Sequence, residues 1–155
     1  MKNQPTYDDA NLILKLYDLR REDKLRDARK WFGSIAPFAS REQWLERCPP
    51  GSEENAYYRM VTTYWDMAAS FVVTGILNRE LFYRSNNSEL LFVWEKIKAI
   101  VPKMREAAKN PLSLTQLEEV AKGFIEHYAT NAPGFYENWA ATIAKMGQPP
   151  AAANK

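Results

Sequence analysis

From Ser52 to Thr74 the chain reads SEENAYYRMVTTYWDMAASFVVT, with no proline or glycine inside the run and Gly75 directly after it. Placed at 100° per residue, Tyr57, Val61, Tyr64, Ala68 and Phe71 make one apolar stripe. Tyr58, Trp65 and Val72 make a second, and Met60 and Met67 flank the other side. The apolar arc is roughly 200° wide, about double that of a helix lying on a single neighbour. Such a helix has to be enclosed by several others. That requirement points to an all-α protein, a compact multi-helix bundle around a long central helix.

The rest of the sequence supplies the neighbours. A first helix is expected over residues 7–32, with Thr6 as N-cap, Asp8 and Asp9 in the first turn and Gly33 as the stop. SREQWLERC gives a short helix over 40–48, opened by a Ser40–Gln43 capping box. Ser52 caps the central helix, which ends at Gly75, and Asn78 caps RELFYR. A helix from SNNS, 85–88, to Lys109 should kink at Pro102, whose ring displaces one backbone hydrogen bond. TQLE, 115–118, is a second capping box, opening a helix to Ala129, and a last helix runs from about Pro133 to Gly147. About six to seven helices in one domain, residues 1–147, are therefore expected, with the N-terminal helix able to project and 148–155 a frayed tail.

Composition removes several function classes. The 155 residues carry 21 basic and 19 acidic side chains, with signs interleaved, which argues against a nucleic-acid partner. The longest uncharged run, Met67 to Asn78, is too short to span a bilayer, and the N-terminus lacks an apolar signal region. A cytoplasmic protein is the expectation. Cys48 is the only cysteine and His127 the only histidine, so no metal site and no cofactor is expected. Residue 124, three before His127, is Phe, which breaks the Glu-x-x-His pattern of di-iron bundles. Cys48 ends a helix instead of starting one, so an ordinary thiol reactivity is expected and no catalytic residue is assigned. Paired acids at 8–9, 53–54 and 118–119 all sit at helix starts, where the dipole accounts for them.

The first helix reads differently from the others. Leu14, Tyr17, Leu25, Ala28 and Phe32 fit one stripe, while Leu12, Leu16 and Leu19 fall on another face. One intrachain neighbour cannot cover both. Leu12, Leu16 and Leu19 are therefore candidate interface residues of a homodimer, or of a contact with another protein, unless the second helix folds back over them. In the helix after Ser88, Phe92 falls among Glu95, Lys96 and Lys103 on the side away from the core and is a further interface candidate.

Asp66 lies opposite the middle of the central apolar arc, on a polar stripe with Arg59, Thr62 and Ser70. The competing arrangement buries it under another element beside a base. WDMAASFVVTGILNRELF followed by FVWEKIKAIVPKMRE resembles a bacterial family of all-helical proteins catalogued as a domain of unknown function. Trp65 and Asp66 match its aromatic and acid, Val72, Val73 and Gly75 its aliphatic run and glycine, Trp94 its tryptophan and Arg105 its arginine. Asp66 and Asn78 stand where that family has a longer acid and an acid. Members often carry a membrane-spanning helix ahead of the domain, which is not read here. The resemblance implies a fold and no activity. It also implies that Asp66 and Arg105 pair across two helices, as a structural clamp or as part of a small-molecule pocket with Tyr64 and Trp94. The expected function is non-catalytic association, with that pocket as the alternative.

Overall fold

The computed structural model describes residues 4–147, which form nine helices and no strand. In order they are α1 (Tyr7–Arg20), α2 (Asp23–Ser34), α3 (Arg41–Arg47), α4 (Glu53–Val73), α5 (Arg79–Arg84), α6 (Glu89–Ile97), α7 (Val101–Ala108), α8 (Thr115–Asn131) and α9 (Phe135–Ala144). The all-α class holds, and the count of six to seven is corrected because two long predicted helices each divide. Residues 148–155, read as a frayed tail, lie outside the described residues.

The first division falls at Arg21 and Glu22. Glu22 turns to ψ 138°, and its carboxylate accepts the Leu25 N–H at 3.0 Å, so it acts as the N-cap of α2. No glycine or proline marks the break, and α2 then runs through Gly33, the expected stop. The second division falls before Pro102. Rather than kinking one helix, Pro102 sits in the first turn of α7, where a missing N–H leaves nothing unsatisfied.

α4 is enclosed as its wide apolar arc requires. It lies chiefly against α2 and α8, with α5 and α6 also packed on it. Tyr58, Val61, Trp65, Ala68 and Val72 are buried, and the Tyr58 ring meets Phe38 and Trp44 edge-on at 6.0 and 5.4 Å. α8 contributes Leu117, Val120, Ala121 and Phe124 to the same core. Gly123 in α8 lets α5 come close, since a Cβ there would run into the Tyr83 hydroxyl.

The caps of α1, α3, α4 and α5 form as the sequence predicts, through Thr6, Ser40, Ser52 and Asn78. The capping box expected at Thr115 and Glu118 does not. Leu114, at φ 57°, precedes α8 and gives it no side-chain cap. Cys48 is fully buried, and burial pushes its thiol up to about 11.

Candidate functional site

The Asp66 and Arg105 side chains both reach the start of α8, each to its own partners. Asp66 reaches across from α4, and its Oδ1 accepts the Leu117 N–H at 2.9 Å. It thereby supplies the cap that α8 lacks within its own sequence. Asp66 is half-buried. Burial pushes its carboxyl above the usual range, against the opposing pull of the Leu117 N–H, Arg105 and the Gln116 N–H. Arg105, from α7, donates Nε to the Ser113 carbonyl at 2.8 Å and pairs with Glu118 at 2.8 Å. Lys122 and then Arg105 hold the Glu118 carboxyl below its ordinary value. Arg105 thus has its ion pair with Glu118, and its attraction to Asp66 is the longer-range one.

Tyr64 and Trp94 are both buried. The Tyr64 hydroxyl donates to the Leu16 carbonyl at 2.6 Å, tying α4 to α1, and burial pushes it up to about 12. Two large clefts open on the surface, and neither borders Asp66, Arg105, Tyr64 or Trp94. One lies between α1 and the α4–α5 turn, beside Asp9, Ile76 and Asn78. The other lies between α2, the start of α6 and α9.

On α1 the structure exchanges the two expected faces except at Leu19, which stays exposed. Leu16 is 3% exposed and belongs to the core, with Leu12 and Ile13 partly buried beside it. Leu14 and Tyr17, expected inside, are 62% and 49% exposed, Tyr7 is 90% exposed, and Leu19 is 41% exposed. The reason is the break at Glu22. Reading α1 and α2 as one rod carried the phase of Leu25, Ala28 and Phe32 back onto Leu14 and Tyr17, and a broken rod does not preserve phase.

α1 is nonetheless held firmly. Thr6 and Asp9 form a reciprocal capping box, and Asp9 Oδ1 also accepts the Asn78 N–H at 2.7 Å. Those backbone N–H groups keep the buried Asp9 carboxyl below its usual range. At the other end the buried Arg20 guanidinium lies 5.1 Å from the Trp65 ring centre and 5.2 Å from that of Tyr17. Pinned at both ends, α1 turns Tyr7, Ala10, Leu14 and Tyr17 outward at spacings of three, four and three, an a/d heptad seam. The spacing was the available signal for this face. Exposed Asp8 stands at one end of the seam and exposed Arg21 at the other.

Phe92 is half-buried, 6.5 Å from the Trp139 ring. Its neighbours Glu95 and Lys96, expected in solvent, are buried. The Lys96 ammonium donates to the carbonyls of Phe32, Gly33 and Ile35 at 2.8, 3.1 and 2.6 Å, which closes the C-terminal end of α2. Burial lowers it to about 8. Sequence reasoning missed this residue because a lysine beside Glu95, on the side read as turned away from the core, carries no sign of being drawn inward. His127 lies near Glu80, with 3.9 Å between Nδ1 and the carboxylate, and its ring faces Tyr83. Among the described residues no three side chains of His, Cys, Asp and Glu converge as metal ligands, and no helix is long and apolar enough to cross a membrane.

A family model, the domain of unknown function DUF4760, matches residues 5–124. No curated protein and no solved structure matches significantly. The matched segment runs from just before α1 into the middle of α8 and takes in Asp9, Asp66, Lys96 and Arg105. The chain belongs to the DUF4760 family.

Proposed function

We propose that this DUF4760 protein acts by association, as a non-catalytic module that forms a homodimer through the outer face of α1. The observation that carries the reading is the seam of exposed Tyr7, Leu14 and Tyr17, with half-buried Ala10 between them, on a helix fixed at both ends. A second copy suits this face better than an unrelated partner because the seam complements itself when turned antiparallel. A twofold axis near Leu14 brings Asp8 of one copy to Arg21 of the other, and Leu14 to Leu14. The acidic first turn of each α1 then faces the basic last turn of its partner. Helix pairing of this kind buries Tyr7 and Tyr17 without moving the core side of α1.

The seam is short, so the dimer is weak. Each fully buried large apolar side chain contributes roughly 1.5–3 kcal/mol, set against several kcal/mol of lost translational and rotational freedom. A dissociation constant on the order of micromolar follows. Sedimentation equilibrium between about 5 and 200 µM checks it. The wild type should shift from monomer to dimer across that range, and a Leu14→Asp, Tyr17→Asp variant should stay monomeric with an unchanged melting midpoint. A wild type that stays monomeric throughout refutes the reading. A Leu12→Asp, Leu16→Asp variant would not serve, because Leu16 is core and its loss unfolds the chain.

A further inference from the structure

The cleft between α2, the start of α6 and α9 has a volume of about 540 Å³ and carries a positive charge that nothing so far described uses. Its walls include Arg26, Arg29, Lys30, Ser88, Phe92 and Trp139. The only acid in the wall, Glu89, is held by Arg29 in a two-bond pair, Nε to Oε1 at 2.8 Å and Nη2 to Oε2 at 2.6 Å. Arg26 and Lys30, one turn apart on the exposed side of α2, form no ion pair with a carboxylate among the described residues. Arg26 donates to the Arg21 carbonyl, and among the described residues Lys30 has no hydrogen-bond or ion-pair partner. Beneath the floor a fourth cation, Lys96, lies 4.4 Å from the Phe92 ring centre, bound to carbonyls and to no carboxylate. Three cations less one carboxylate leave the wall itself a charge of +2, with buried Lys96 behind it. The remaining wall is aromatic, with the Phe92 and Trp139 rings 6.5 Å apart and half-exposed.

We infer that this cleft binds a phosphate monoester that also bears a flat aromatic ring. Arg26 and Lys30 flank the dianion, and the Ser88 hydroxyl, which makes no capping bond to its own helix, donates to it. The ring lies against Trp139 and Phe92, where stacking adds affinity that a bare anion cannot gain. The size of the cleft suits such a ligand, since small-molecule sites run to roughly 300–1,000 Å³. The site is separate from the α1 seam, so it stands or falls independently of dimer formation.

Adenosine monophosphate serves as the probe, with inorganic phosphate and adenosine as its two halves, in calorimetric titrations at about 50 mM salt. The expected result is binding of the nucleotide below about 1 mM and at least tenfold weaker binding of each half. Lys30→Ala and Trp139→Ala should each weaken the nucleotide about tenfold, and raising the salt to 300 mM should weaken it further. Lys30 is exposed and outside the core, so its variant should fold, and a melting midpoint equal to wild type checks that. No heat with the nucleotide at 5 mM overturns the inference. So does inorganic phosphate binding as tightly as the nucleotide with no effect of Trp139→Ala, the behaviour of an adventitious anion only.

Discussion

Replacing Asp66 tests whether a carboxylate in an apolar helix matters for its charge or for its oxygen. Its Oδ1 accepts the Leu117 N–H at 2.9 Å, and α8 has no cap of its own. Losing an N-cap costs about 0.5–2 kcal/mol, and a hydrogen bond to a charged group contributes about 1.5–3 kcal/mol. Asp66→Ala should therefore destabilise the fold by about 2 kcal/mol. In urea, where slopes run about 1–3 kcal/mol per molar, the midpoint should fall by about 1 M. Asp66→Asn keeps a carbonyl oxygen in the same place. Burial is the largest influence on the Asp66 carboxyl and raises its pKa above 3.8, so the charge is a cost that the amide avoids. Asp66→Asn should stay within about 1 kcal/mol of wild type at pH 7. The pH dependence carries the matching sign. Between the unfolded and the higher folded pKa the unfolded chain binds fewer protons, so this group's contribution falls as pH rises through that window. Wild type should gain on the asparagine variant as pH drops from neutral to below 3.8. If Asp66→Asn is as damaging as Asp66→Ala, the charge and its attraction to Arg105 hold the site, and the capping argument fails.

Two further substitutions probe helix ends. Lys96 has a folded pKa of about 8 against an ordinary 10.5, so the unfolded chain binds more protons between those values and stability rises with pH there, by up to roughly 3 kcal/mol. Cys48 and Tyr64, both raised, act in the opposite direction above about pH 9, so the measurement is the gap between wild type and Lys96→Met. That gap should widen in favour of wild type from pH 7 to 10, and a constant gap would contradict a buried ammonium. Gly75, at φ 78°, ends α4, and a Cβ there meets nothing within 4 Å, so Gly75→Val costs only its backbone strain, about 1–2 kcal/mol. An unchanged melting midpoint would show that the turn relaxes around the side chain.

The helices were legible where the chain signals locally. Thr6, Ser40, Ser52 and Asn78 all cap as their side chains allow, because a cap is a contact across three residues. The wide apolar arc of α4 was enough to require an enclosing bundle. What could not be read were ends closed from a distance. The cap of α8 comes from Asp66, at a separation of 51 residues, and the end of α2 is closed by Lys96. A polar stripe on a helical wheel looks the same whether water or another helix's backbone receives it. For that reason the sequence places Lys96 on the wet side and leaves Asp66 between water and a base on another helix. The break at Glu22 is a third case, since glutamate is an ordinary helix residue until its own side chain turns to cap the next helix.

These long-range caps bear on what α1 can do. The nine helices of the described residues, joined by short connections, leave many ends whose backbone groups need partners, and the chain meets part of that need with charged side chains from other helices. Asp9 both closes its own helix and takes the N–H of Asn78, so the start of α1 and the start of α5 share one carboxylate. Farther along, the Leu16 carbonyl receives the Tyr64 hydroxyl, and Arg20 lies over Trp65. Each contact uses the inner side of α1 and none uses Tyr7, Ala10 or Leu14. A helix free to rotate would turn those residues inward and leave no seam. This helix is fixed in rotation, so its apolar outer stripe stays outside, already ordered. For the proposed dimer this leaves little to order on binding, which is why a seam of two heptads is expected to suffice at micromolar concentration.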